Sequence, residues 1–130
     1  MPVAREHMSR DLLTVAPDEP LGTVAQRMVD RDVGAVLVMN AAGALAGILT
    51  ERDVLRAVAA GIQDDTVVSD WMTRDPETMA PDDTTAQAAV LMIHGGFRHV
   101  PLVEGADVVG MLSIRDLMRV VLDNSAPRGV

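Results

Sequence analysis

Two short stretches carry the residues best placed to do chemistry. Thr50-Glu51-Arg52-Asp53 sets a hydroxyl and a carboxylate three residues apart, directly after the apolar run Gly47-Ile48-Leu49. Val54, Leu55 and Val58 follow at helical spacing, so the stretch reads as a buried strand running into a helix. At such a junction the Thr hydroxyl can cap the first free backbone N–H groups. Asp53 then falls in the first turn, at the positive end of the helix dipole. A single Thr-x-x-Asp is a capping-box start signal, and its reading is structural. The layout returns, however, 63 residues later in Gly110-Met111-Leu112-Ser113-Ile114-Arg115-Asp116. A cap needs neither the upstream Gly nor the Arg before the Asp. Recurrence of the whole pattern marks an internal repeat.

Other chemistries are poorly provided for. Without cysteine there is no disulfide framework, thiol catalysis or Cys-based metal site. All eleven basic residues are Arg, which excludes a Schiff-base or P-loop lysine. The three histidines, His7, His94 and His99, have no metal-ligand spacing. No Ser/His/Asp order stands out as catalytic. Asp64-Asp65 reads as a solvated linker and Asp82-Asp83 as turn and helix-start chemistry. Net charge is −8, and 6 Arg against 10 acids up to residue 66, then 5 against 9, place −4 on each half. A uniformly acidic surface repels duplex nucleic acid. Apolar runs are too short to span a membrane, and the N-terminus lacks a signal-peptide apolar region. The expectation is a cytoplasmic protein with no nucleic-acid or membrane partner.

The elements that must position the two motifs follow from sliding the sequence on itself. At an offset of 64, Met8, Arg10, Asp11, Thr14, Ala16, Pro17 and Asp18 match Met72, Arg74, Asp75, Thr78, Ala80, Pro81 and Asp82. Between Asn40 and Gly47 the offset falls to 63, a one-residue deletion that a loop absorbs. In the first copy Val3 to Met8 reads as a lead-in turn and Leu13-Thr14-Val15 as a strand. Leu21, Val24, Ala25, Met28 and Val29 mark an amphipathic helix. Ala35–Met39 and Leu45–Leu49 are strands, and a helix from Glu51 to Ala60 stops at Gly61. The second copy repeats this with the Val67–Met72 turn, a Thr78–Ala80 strand and a helix from Thr84 to about His94. Strands Val100–Val103 and Val108–Leu112 follow, then a helix from Arg115 to Leu122. Each copy is β-α-β-β-α, in a mixed α/β class with the first two strands parallel. One sheet face is covered by helices, and the economical partner for the other is the second copy. The expectation is two repeats, 3–66 and 67–124, packed sheet to sheet with pseudo-twofold symmetry, and a flexible tail over 125–130.

Laid out in this way, the chain resembles a tandem pair of CBS (cystathionine-beta-synthase) domains, a Bateman module of the stand-alone type. The residues that carry the resemblance are Gly47-x-x-Thr50-x-Arg52-Asp53, Gly110-x-x-Ser113-x-Arg115-Asp116, Arg98-His99-Val100-Pro101 and Val68-Ser69-Asp70-Trp71-Met72-Thr73. The resemblance implies a regulatory module rather than an enzyme. It implies an adenine nucleotide (AMP, ADP or ATP) or a related adenosyl compound such as S-adenosylmethionine or NAD, bound in clefts between the repeats, with no obligatory cofactor. It also implies a homodimer formed through helical faces, for which Met28, Val29, Met92, Ile93, Met118 and Val121 are candidates. The downstream protein partner is not specified.

On that resemblance the ligand-binding residues are Thr50, Arg52, Asp53, Thr66, Val68 and Ala35 for one site. Arg98, His99, Pro101, Ser113, Arg115 and Asp116 serve the other. The Asp is expected to hold the ribose hydroxyls, since a carboxylate accepts hydrogen bonds from both hydroxyls of a cis-diol. Helix N-termini offer N–H groups to phosphate. Apolar strand residues can sandwich an adenine. Thr66 stands six residues before Met72, whereas its counterpart six before Met8 is Pro2, without a hydroxyl. The Thr50/Asp53/Thr66 site is therefore the more complete. Arg98 and His99 could bring cationic groups to phosphate at the second site, and His99 reads equally as a hydrogen-bonded residue at the core edge. Another class of function stays open, a ligand-free interaction module in which Thr-x-x-Asp is only a helix cap.

Overall fold

The structure, a computed structural model, describes residues 2–125. In chain order its elements are a 3-10 turn Ala4–Glu6, β1 (Thr14–Val15), α1 (Leu21–Arg31), β2 (Ala35–Met39), β3 (Leu45–Thr50) and α2 (Glu51–Ala60). There follow α3 (Val68–Trp71), β4 (Thr73–Arg74), α4 (Thr85–Gly95), β5 (His99–Glu104), β6 (Asp107–Ser113) and α5 (Ile114–Ser125). The last helix runs on past Leu122 to Ser125, into the segment expected to be a tail. The rest of that tail, from residue 126, lies outside the described residues.

The chain forms two compact units, and their limits are not those of the sequence repeats. One unit is Leu12–Pro76, and the other, among the described residues, joins residues 2–11 to residues 77–125. Each unit thus takes its lead-in turn from the other repeat. In the Leu12–Pro76 unit the sheet order is β1-β2-β3-β4. β1 and β2 are parallel, as a βαβ crossover requires, and β2 and β3 form a hairpin. β4, which lies between the Val67–Met72 turn and the Thr78–Ala80 segment and has no counterpart in the sequence reading, adds antiparallel to β3 through Gly47↔Arg74 and Ile48↔Thr73. Leu13, Val15, Leu21, Val24, Met28, Val36, Val38, Leu49 and Ala57 build the core, and Val68 and Met72 of the exchanged turn complete it.

The second unit repeats the plan with one loss. β5 and β6 pair antiparallel, and Ser9 bridges Met111 where β4 pairs in the other unit. The expected Thr78–Ala80 strand shrinks to a single parallel bridge, Met79↔Leu102. Proline explains the difference. In the first unit the Leu37 N–H donates to the Leu13 carbonyl at 3.0 Å and extends the ladder. Its counterpart is Pro101, which has no N–H to give. The core gathers Ala4, Met79, Ala88, Met92, Val100, Leu102, Leu112 and Leu117.

The motif glycines have a steric cause. A Cβ on Gly47 would stand 2.7 Å from the Thr73 carbonyl oxygen and 2.9 Å from Met72 Sδ. On Gly110 it would meet Met8 and come within 3.1 Å of the Ser9 carbonyl oxygen. Both glycines therefore allow the exchanged turn to lie against the strand that leads into the candidate site.

Candidate functional site

The two hydroxyl–carboxylate motifs fold into the same local structure. Thr50 is the N-cap of α2, with extended backbone angles, and its Oγ1 accepts from the Asp53 N–H at 3.2 Å. Asp53 Oδ2 in turn accepts from the Thr50 N–H at 2.9 Å and from Thr50 Oγ1 at 3.1 Å. In the other unit Asp116 Oδ2 accepts from the Ser113 N–H at 2.8 Å and from Ser113 Oγ at 2.9 Å, while the Asp116 N–H donates to Ser113 Oγ at 3.2 Å. Each box thus satisfies two backbone donors reciprocally, the Thr or Ser N–H through one carboxylate oxygen and the Asp N–H through the hydroxyl.

The remaining oxygen is the informative one. Asp53 is buried, with 4% of its surface exposed, yet no hydrogen bond reaches Oδ1 among the described residues. Its ion-pair partner is the Arg56 guanidinium, at 3.9 Å. Since no buried side-chain oxygen lacks a hydrogen-bond partner among the described residues, Oδ1 is the part of the carboxylate that reaches the surface. Asp116 Oδ1 faces Arg119 at 3.7 Å in the same manner. These arginines, one turn beyond each carboxylate, were missed by sequence reasoning, although both recur at the repeat offset. Thr73 was missed as well; its Oγ1 lies 3.5 Å from Asp53 Oδ2, on the exchanged strand. Only the strand exchange brings it there, so spacing within a repeat could not have located it.

Residues flanking the motifs are set by register. Ala35 pairs with Thr50, and His99 pairs with Ser113. Side chains alternate across a strand, so Ala35 and Thr50 lie on the face opposite Val36, Val38 and Leu49, which pack in the core. The same alternation puts His99, Pro101 and Ser113 opposite Val100, Leu102 and Leu112. Pro101 is fully buried, His99 is half-buried, and Arg52, Arg98 and Arg115 are exposed. Val68 is fully buried and donates its N–H to the Glu19 carbonyl.

Thr66 belongs to the unit that holds Thr50 and Asp53, although it precedes the second repeat. Its Oγ1 accepts from the Gln63 N–H at 3.0 Å, and its carbonyl accepts from the Leu21 N–H at 2.9 Å. The Pro2 carbonyl receives the Thr85 N–H at 3.0 Å in the same way, so the two positions are structurally equivalent. Among the described residues no group of His, Cys, Asp or Glu could hold a metal ion, and no helix is long and apolar enough to cross a membrane.

Comparisons with known proteins agree on one family. The CBS domain model matches twice, over residues 4–60 and 68–123. A CBS domain-containing protein of Bacillus subtilis, YhcV, is 31% identical over 118 residues, covering 90% of this chain and 84% of the relative. The chain spans between about a fifth and two thirds of the length of the first curated relatives it matches. Among solved structures, a CBS-domain containing protein from Agrobacterium tumefaciens is 34% identical with a TM-score of 0.85, covering 92% of each chain. Two more distant neighbours share the fold. A CBS domain pair in complex with 5′-methylthioadenosine and S-adenosyl-L-methionine has a TM-score of 0.88 at 21% identity, covering 96% of this chain and 99% of that one. CBSX2 in complex with AMP has a TM-score of 0.81 at 20% identity, covering 97% of this chain and 100% of that one.

Proposed function

The chain belongs to the CBS domain family, and from that premise we propose that it is a regulatory module that binds the adenosyl part of a small molecule. The preferred ligand is an adenine nucleotide, AMP or ATP; S-adenosylmethionine and NAD offer the same ribose and adenine. The observation that carries this reading is the divided carboxylate of Asp53. One oxygen is spent on the helix start. The other accepts no hydrogen bond among the described residues, stands 3.9 Å from the Arg56 guanidinium, and has the lone pairs to accept both hydroxyls of a ribose. Thr50, Thr66 and Ala35 would frame ribose and base, with Arg52 at the ligand's edge. Val68, fully buried in the core with its N–H and carbonyl both bonded, would only support them from behind. The Ser113/Asp116 motif, with Arg98, His99, Pro101 and Arg115, would form the second site. Neighbours of the same fold crystallised with AMP, 5′-methylthioadenosine and S-adenosylmethionine support the ligand class.

Calorimetric titration of single variants tests the assignment. Charged hydrogen bonds are worth about 1.5–3 kcal/mol each, and about 1.4 kcal/mol is one decade of affinity. Asp53→Ala should weaken nucleotide binding at its site at least tenfold. Thr66→Val should weaken the same site, and Asp116→Ala should leave it intact. Equal losses from Asp53→Ala and Asp116→Ala would refute separate sites.

One observation favours a second reading, an interaction module that needs no ligand. Val29 and Ile93 are 73% and 76% exposed. Leu55, Val58, Met118, Val121 and Leu122 are exposed on their helices too. The same residues support a homodimer, so dimerisation alone does not separate the two readings.

A further inference from the structure

The two motifs share a backbone plan, and they differ in the charge placed around it. The Glu51 N–H donates to the Gly34 carbonyl at 3.0 Å, and the Ile114 N–H donates to the Arg98 carbonyl at 2.8 Å. With the Ala35↔Thr50 and His99↔Ser113 pairs, these bonds make four positions equivalent. Gly34, Ala35, Glu51 and Arg52 surround the start of α2. Arg98, His99, Ile114 and Arg115 surround the start of α5. The carboxylate and the arginine one turn beyond it occur at both, so they cancel from the comparison. What remains is no net charge in the first set and two positive charges in the second, with His99 counted neutral. Two further acids, Asp64 and Asp65, precede Thr66 in the first unit, and both are exposed.

Given the adenosyl-binding reading above, we infer that the two sites divide ligands by charge. The Ser113/Asp116 site takes an adenosine that carries phosphate, a group of about −1.5 to −2 at pH 7. The Thr50/Asp53 site takes an adenosine whose 5′ substituent is uncharged or cationic. The helix N-terminus present at both favours an anion equally. The difference therefore lies in Arg98, which replaces Gly34, and in Glu51, which stands where the other site has Ile114. A chain with two such sites reads two ligands of unlike charge, rather than one ligand twice.

Adenosine and AMP are the natural probes, because they differ only in the phosphate. Titrating each into Asp53→Ala leaves the Ser113/Asp116 site, and AMP should then bind at least tenfold more tightly than adenosine. That preference should shrink with added salt, since the screening length falls from about 10 Å at 0.1 M to about 3 Å at 1 M. Titrating each into Asp116→Ala leaves the Thr50/Asp53 site, which should bind adenosine at least as tightly as AMP. Arg98 is exposed, so Arg98→Gln is unlike a core change; added to Asp53→Ala it should bring the two affinities within about threefold. The same AMP preference in both single-site variants, or an unchanged preference after Arg98→Gln, overturns the division by charge and leaves the adenosyl-binding reading standing. No binding of adenosine or AMP to wild type or to either variant removes both.

Discussion

At the residue scale, the account turns on how one carboxylate does two jobs. Asp53 closes the capping box of α2 by accepting from the Thr50 N–H and hydroxyl through Oδ2, and the N-cap side chain that it positions contributes about 0.5–2 kcal/mol. A carboxylate in the first turn gains about 0.3–1 kcal/mol more from the helix dipole. The reciprocal box with Thr50 and the nearby Thr73 hydroxyl put the structural share higher. Asp53→Ala should therefore lower the ligand-free melting temperature as well as ligand affinity. Asp53→Asn separates the jobs, because its amide oxygen still accepts from the Thr50 N–H while the charge is gone. Two of the residues named for the dimer face also need correction at this scale. Met28 and Met92 are 4% and 2% exposed and belong to the cores. Helical spacing identifies an apolar stripe, but a wide stripe does not say which of its edges stays outside.

At the element scale, glycine marks where chain segments press together. Gly47→Ala would drive a Cβ to 2.7 Å from a backbone carbonyl, which has little freedom to move. A loss of about 1–3 kcal/mol follows from comparable overpacking. Gly22 is the control: it lies in α1, with nothing within 4 Å of its Cβ direction. Gly22→Ala should stabilise by about 0.4–1 kcal/mol through the unfolded chain. Chemical denaturation of both variants reads the contrast, and an equal effect of the two would remove the close-approach account. Most elements were legible from pattern: α1, β2, β3, α2, α4, β5 and β6 all follow from apolar period and capping residues. β4 was not legible, because its partner Gly47 belongs to the other repeat and pairing of that kind leaves no mark in local sequence. The loss of the Thr78–Ala80 strand was readable in principle from Pro101, whose missing N–H is a property of the residue itself.

At the scale of the whole molecule, exchange of the lead-in turns decides what can fold alone. A fragment Leu12–Pro76 keeps Val68 and Met72 in its core and keeps β4 on its sheet. A fragment 3–66, cut at the repeat boundary, loses all three. Fragments of this length are marginal, so the comparison is the test: Leu12–Pro76 should melt cooperatively by circular dichroism where 3–66 does not. Equal cooperativity would mean that the exchanged turn contributes little. The exposed apolar residues of α1, α2, α4 and α5 support a homodimer, and an isologous interface is the common solution. Light scattering should give twice the 13.8 kDa chain mass at micromolar concentration; a monomer mass throughout would remove that proposal. The most direct test of the central claim is thermal stabilisation of the pure protein by an adenosyl ligand. A ligand at a hundred times its dissociation constant stabilises the folded state by about 2.7 kcal/mol. The melting temperature should then rise by several degrees with AMP or ATP, and the double variant Asp53→Asn/Asp116→Asn, which removes the charge at both sites, should lose much of that rise. No shift with AMP, ATP, NAD or S-adenosylmethionine would contradict the claim and leave the Thr-x-x-Asp boxes as helix caps in an interaction module.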